Sequence, residues 1–467
     1  MGSSDRTSER QAPGAYRTYP LPAHNLFYLY QLITLGNLNS CELLELDGRL
    51  DHERLRAALL QALARHPVLN SRLKPRFMRG FDIELIAKPL PLDLRFERCD
   101  TDEPGVVHQR LLRNVWQESF DVTVDRPVRF HLLETPSKSY LQIITVRLYN
   151  DAKAGYRLAH DVAESYTALE FGQPFDATPI QVVDRSTSGL LTSHLPLREK
   201  LRHSVGAVKL FAQDFFRPDV SMPLPDTPRG DQDFMKVDFG AELLEGLRRR
   251  AKQEKVTVHA MLALAMFKVW RASAPSKVGR RWLRILDNFS LRHMTRENAD
   301  ELYETLVVPY SVRLPTSGSD KEVLHAMVEQ LNHWKSGEIL SELYRVRLYA
   351  ALSRFSPLKL SSAFITRYVA KSNIVMSNPG PVPYPLERFG SVPIADFINF
   401  SQLFPPSRVM LIFSTFRGRL RALVVWDRNA YPNGPERELI APLKAQLAAL
   451  ATPAADAAPA AAAQASR

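Results

Sequence analysis

The stretch from Leu141 to Leu169 constrains this chain more than any other. It opens with Leu141 to Tyr149, rich in β-branched and aromatic side chains, which predicts a sheet strand. Asp151 then marks a turn. Beyond it Leu158, Val162, Tyr166 and Leu169 recur at the three- and four-residue spacing of one helix face. A strand passing through an acidic turn into an amphipathic helix is an αβ unit, so purely helical and purely β folds are excluded.

Similar units surround it. Glu42 to Asp47 reads as a strand, and Asp51 is placed to cap a helix carrying Leu55, Leu59 and Leu63 on one face until Pro67 stops it. Thr257 is placed to cap a very apolar helix from Val258 to Trp270. Residues 305–314, 373–377, 409–415 and 419–426 read as strands, the last two joined by a hairpin turn at Phe416-Arg417-Gly418-Arg419. Prolines 196, 218, 223, 225 and 228 with Gly230 mark residues 185–234 as the crossover between two halves. At 467 residues the chain exceeds one ordinary core. The expected division is a disordered start at 1–17, one subdomain at 18–184, the crossover at 185–234, a second subdomain at 235–450 and a disordered Ala/Pro tail at 451–467.

Bulk properties narrow the function. With 45% apolar and 24% charged residues, and no uninterrupted apolar run near ~18 residues, a soluble protein without a spanning helix is expected. Met1 to Gly14 is polar, unlike a secretory signal. Cys41 and Cys99 form neither a disulfide framework nor a metal motif, which points to a reducing cytoplasm. The net charge of +11 suits anionic lipid, a phosphate-bearing molecule or an acidic partner; no nucleic-acid motif accompanies it, and most arginines read as a solvated face.

Three segments together resemble the chloramphenicol-acetyltransferase-like superfamily of condensation domains, alcohol acetyltransferases, polyketide-associated acyltransferases and wax ester synthases. Leu50 to Leu69 resembles its opening helix, ending in Arg65-His66-Pro67-Val68-Leu69, and Phe120-Asp121 with Arg126-Pro127-Val128-Arg129 resembles the segment that follows. Val146 to Tyr166 resembles the His-His-x-x-x-Asp-Gly segment, with Asp151 on the aspartate and Ala152 on the glycine. Asp287 to Arg292, Val307 to Pro315 and Ser377-Asn378-Pro379-Gly380 resemble its C-terminal elements, while the Asp-Phe-Gly-Trp-Gly motif of condensation domains is missing. The resemblance implies an α/β fold of two chloramphenicol-acetyltransferase-like subdomains in a V around a central tunnel. It implies an acyl donor held as a thioester, on coenzyme A or on the phosphopantetheine arm of an acyl or peptidyl carrier protein, with no permanently bound cofactor or metal, and a place in secondary metabolism.

The two motif histidines are replaced by Val146 and Arg147. In the family the second histidine deprotonates the acceptor, a task that suits its near-neutral pKa. A guanidinium stays protonated and cannot do this. Arg147 is left to stabilise an oxyanion, bind a phosphate or carboxylate, or fill the tunnel mouth. By resemblance Asp151 is a brace, with Arg292 as its partner; otherwise it is an ordinary turn aspartate. Tyr149, Asn150, His160, Ser377 and Asn378 are the further candidates for the site wall. Ser377 and Asn378 read equally as oxyanion donors or as a turn set by geometry alone. His66, His131 and His259 read as structural. Three functions follow: acyl transfer to a hydroxyl or amine through an altered site, an inactive relative that binds a carrier protein, acyl chain or partner enzyme, and, third, a protein drawn to membrane surfaces by its charge.

Overall fold

The computed structural model describes residues 18–22, 24–76, 80–180, 191–216, 219–273, 282–295, 301–353, 357, 360 and 372–452. Most of the segments expected to be disordered, 1–17 and 453–467, lie outside these residues, as do parts of the crossover at 185–190 and 217–218.

Two large sheets organise the chain. The first runs Arg388–Phe389, Val392–Ser401, Asn39–Leu46, Ser139–Val146, Val128–Glu134 and Leu94–Arg98. The second runs Val307–Pro315, Trp282–Ser290, Ile374–Pro381, Val409–Phe416, Arg419–Asp427 and Gln232–Phe239, with Asp219–Val220 pairing at Trp282. Both mix parallel and antiparallel pairs. A third, three-stranded sheet joins Thr18–Pro20, Phe81–Leu85 and Ser71–Pro75. Two apolar cores form: one packs around the first large sheet and takes in Phe234, Val375, Met410 and Leu423 from one face of the second, and the other packs against the opposite face of the second.

Local chemistry accounts for the elements. Asp51 accepts from Arg54 N–H at 2.7 Å and starts the helix His52–Arg65, which buries Leu55, Leu59 and Leu63. Asp151 does the same for Ala152–Phe171, accepting from Ala154 N–H at 2.9 Å. That helix buries Leu158, Val162 and Tyr166, but Leu169 is 37% exposed and Ala168 takes its place in the apolar stripe. Thr257 caps Val258–Ser273 through Ala260 N–H at 3.2 Å. Arg417 and Gly418 have φ of 48° and 73°, the paired positive values of a type I′ hairpin turn. The strand expected to reach Tyr149 ends at Val146, because Arg147 N–H donates to Leu38 and Tyr149 N–H folds back onto Val146.

The sequence division places residues 388–401 with the second half, yet they complete the first sheet: Val392–Ser401 pairs antiparallel with Asn39–Leu46. The expected crossover at 185–234 contains a 20-residue helix, Leu197–Phe216.

The helix Ala152–Phe171 lies so close to the first sheet that a Cβ at Gly155 would stand 1.8 Å from Glu42 Oε1. Gly155→Ala is therefore expected to destabilise the fold by about 1–3 kcal/mol, the usual scale of core overpacking. Glu42→Ala in the same chain should recover part of that loss in urea unfolding; equal losses with and without Glu42 would refute the contact as the cause.

Candidate active site

The site turn, residues 147–151, lies where the two halves meet. Arg292, in the short turn after the strand Trp282–Ser290, reaches Asp151 with Nη2 at 2.7 Å from Oδ1 and Nε at 3.2 Å from Oδ2. Ala154 N–H completes Oδ1, and Leu306 N–H completes Oδ2 at 3.1 Å. Burial opposes the charged form of Asp151, but the Arg292 charge and these hydrogen bonds outweigh it and hold the carboxyl below its ordinary range. Arg292 also donates to the carbonyls of Leu302 and Glu304. The Thr305 hydroxyl bridges to the carbonyls of Arg147 and Leu148 at 3.3 and 3.0 Å. The segment 302–306 is thereby clamped onto the site turn.

Beside this clamp is a cavity of about 280 Å³. Tyr28, Ser40, Arg147, Asn150, Asp151 and Lys153 line it from the first half; Asn288, Ser290, Ser377, Asn378, Met410 and Ile412 line it from the second. Asn399, Phe400 and Ser401 of the exchanged strand form a third wall. The Arg147 guanidinium lies 5.0 Å from the Tyr28 ring centroid and donates to the Asn150 carbonyl. Among the described residues no carboxylate forms an ion pair with Arg147. Asn378 Oδ1 accepts from Gly380 N–H at 3.1 Å within a bulge between Ser377 and Gly380.

The structure thus brings Arg147, Asn150, Asp151, Ser377 and Asn378 to one cavity, with Arg292 supporting Asp151 from outside the wall. Tyr149 and His160 do not line it. Tyr149 is buried, with its phenol pushed well above its usual range by burial. His160 stacks on Tyr384 at 5.0 Å and lies 3.6 Å from Glu164. The other histidines have structural partners or positions: His66 bonds Asp161 at 2.7 Å, His259 bonds Asp287 at 2.6 Å, and His131 is buried in the strand Val128–Glu134. The ligand atoms of His160, Asp161 and Glu164 lie within 4.8 Å of one another, but both Asp161 oxygens bond the guanidinium of Arg157, and one also bonds His66, so the cluster is a poor cation site.

Two groups were not singled out from sequence. Glu42 is fully buried in the strand Asn39–Leu46; its Oε1 accepts from Asn399 at 2.7 Å and Asn150 at 3.4 Å, both cavity-wall amides. Burial raises its pKa to about 8, against these amides and the Arg147 charge. The available signal was register: Glu42 shares a strand face with Leu44 and Leu46, where an apolar residue is expected. His24 is buried and donates from Nε2 to the Thr305 carbonyl at 2.6 Å, and burial lowers its pKa to about 4. Nothing in its local sequence marks it.

No family model matches the chain, and no curated protein matches it in sequence. Solved structures do match in fold. The trichothecene 15-O-acetyltransferase TRI3 of Fusarium sporotrichioides superposes with a TM-score of 0.72 at 11% identity, over 95% of this chain and 96% of that one. The first condensation domain of the calcium-dependent antibiotic synthetase, in complex with a substrate analogue, gives 0.69 at 16% identity over 93% and 96%. A variant starter condensation domain of rhizomide synthetase, in complex with C8-CoA, gives 0.67 at 14% identity over 93% and 95%.

Two pH effects are expected. Asp151→Asn should cost about 3–5 kcal/mol by removing the charge of one partner in a buried ion pair. Because the folded pKa of Asp151 is depressed, that deficit is full above roughly pH 4 and shrinks as pH falls below it. Glu42 is the opposite case. Its raised pKa means stability is fully present below about pH 4.5 and lost as pH rises towards 8. Glu42→Gln should remove this slope, gaining up to roughly 4 kcal/mol over wild type across that window in urea titrations. Parallel pH profiles for the two proteins would contradict the assignment.

The two interlocked mixed sheets, the braced aspartate turn and the whole-length superpositions together give this chain the chloramphenicol-acetyltransferase-like fold of condensation domains and acyltransferases.

Proposed function

We propose that the chain joins an acyl thioester to an amine, by positioning the two reactants and without a histidine base. One observation carries this reading: among the described residues the cavity between the halves is walled by amides, hydroxyls, apolar side chains, Arg147, Lys153 and the braced Asp151, with no histidine, cysteine or glutamate on its wall. Asp151 does not fill the gap, since both its oxygens are saturated by Arg292 and backbone N–H groups. A hydroxyl acceptor needs its proton removed as it attacks, whereas a neutral amine attacks with its own lone pair.

In this scheme the amine nitrogen forms a bond to the thioester carbon and the carbonyl electrons move onto oxygen. Arg147 and Asn378 both line the cavity, and in this scheme their N–H groups serve as the donors to that oxyanion. Collapse breaks the C–S bond, the thiolate departs, and the proton from the new ammonium centre passes through solvent to the thiolate. Positioning of this kind can supply about 7–11 kcal/mol of the barrier. The donor would be coenzyme A or a carrier-protein arm. The related folds bound to C8-CoA and to a substrate analogue support a thioester, and the charge of +11 suits an acidic carrier protein. The buried, unpaired cysteines 41 and 99 fit a reducing compartment.

The same wall also favours a second reading, a binding protein that holds an acyl thioester without reacting it. Thiol release from acyl-coenzyme A against a panel of amines and alcohols separates the two. Amines should turn over and alcohols lag by roughly 100-fold or more. Arg147→Ala should reduce kcat/KM for amines by about 100-fold, as loss of an oxyanion donor does, and Arg147→His should raise transfer to alcohols. Saturable acyl-thioester binding with no turnover for any acceptor would establish the second reading instead.

A further inference from the structure

The helix Leu197–Phe216 stands apart from the site and carries an apolar stripe that faces solvent. Leu197, Leu201, Val205 and Val208 are 73%, 59%, 70% and 58% exposed, Phe216 is 85% exposed, and Ala212 is exposed between them. Their spacing of four, four, three, four and four residues places all six on one face, over a length of about 30 Å. The opposite face is firmly docked: His203 and Ala207 are buried, His203 bonds Ser341 at 3.1 Å, and a Cβ at Gly206 would stand 2.5 Å from the Ser341 hydroxyl. The stripe is therefore not a helix waiting to turn inwards. A contiguous apolar surface of this kind on a folded chain marks a contact site.

Charge decides between occupants. Arg198, Arg202 and Lys209 are exposed along one edge of the stripe, at 100° per residue. Neither Arg198 nor Lys209 is paired with a carboxylate among the described residues. A second copy packed on this face would bring two rows of cations to one seam. A surface of anionic headgroups neutralises them. Beside the same edge opens a groove of about 570 Å³, lined by Arg202, Lys209, Arg313, Trp282 and Trp334 together with Glu329 and Glu338, the last 3.5 Å from Arg202; its cations outnumber its carboxylates, and Trp282 is 41% exposed as interfacial tryptophans are. We propose that this helix seats the protein on an anionic lipid surface, apolar stripe in the acyl boundary and cations at the headgroups.

Flotation of the full chain with vesicles tests this independently of any acyl transfer. Binding is expected to phosphatidylglycerol–phosphatidylcholine vesicles, at least about tenfold weaker to phosphatidylcholine alone, and reduced by high salt. Val205→Glu with Val208→Glu should weaken it more than about tenfold, and Arg198→Gln with Lys209→Gln by about twentyfold. Both pairs are exposed, so circular dichroism and the unfolding midpoint should stay at wild-type values and serve as the folding control. No flotation with the anionic vesicles, or flotation indifferent to the glutamate pair, overturns the proposal. A dimer seen by sedimentation that the glutamate pair dissolves, in the absence of flotation, assigns the stripe to a second copy and equally overturns it.

Discussion

The bidentate pair between Asp151 and Arg292 is the joint on which the rest of the site depends. The two residues lie 141 positions apart, and each ends a strand-to-turn passage in a different sheet. The carboxylate is saturated from three directions: a guanidinium from the second half, Ala154 at the start of its own helix, and Leu306 from the clamped segment. A buried ion pair is a poor source of net stability, because desolvation cancels much of the attraction. Its value lies in geometry. Only one arrangement of the two turns satisfies both charges, so the pair fixes where Arg147 and Asn150 face relative to Ser377 and Asn378.

A second interlock works from the other side. The strand Val392–Ser401 leaves the second half and completes the first sheet, and Asn39 N–H donates to Gln402 at 2.6 Å just beyond it. Arg417, at the hairpin of the second sheet, donates to the carbonyls of Leu386 and Ile394, where this excursion begins. Asp396 is paired with Lys236 and Arg421, again from the second sheet. The cavity sits between the two interlocks, and three of its wall residues, Asn399, Phe400 and Ser401, come from the exchanged strand. Relative motion of the halves would disturb the ion pair or the strand pairing, so the cavity is held on a rigid frame.

Much of this was legible in the sequence because local physics governs it. The caps at Asp51, Asp151 and Thr257 depend on a side chain three residues from the N–H it serves, and the type I′ turn at Arg417-Gly418 on two residues. What escaped depends on tertiary placement. The exchange of residues 388–401 leaves no trace in periodicity, since a strand reads alike whichever sheet receives it. Tyr149 is a candidate wall residue by its nearness to Arg147 and Asp151 in sequence; the turn at Val146 redirects it into the core. His24 and Glu42 became visible only when chain segments about 280 and 360 residues away supplied their partners Thr305 and Asn399.

Charge balance in the cavity follows from these placements and bears on what the site can hold. Asp151 and Arg292 cancel each other. Glu42, with its pKa raised to about 8 by burial, is neutral at pH 7 and adds no negative charge. Among the described residues no carboxylate pairs with the Arg147 guanidinium, which lies over the Tyr28 ring. A guanidinium is a fixed cation, and in a site of low dielectric such a charge acts more strongly than in water. A cation there cannot activate a nucleophile, but it lowers the energy of electron density gathering on a neighbouring oxygen. Under the proposed acyl transfer that oxygen would belong to the thioester, and the Asp151 brace and the exchanged strand both keep the setting of Arg147 in place.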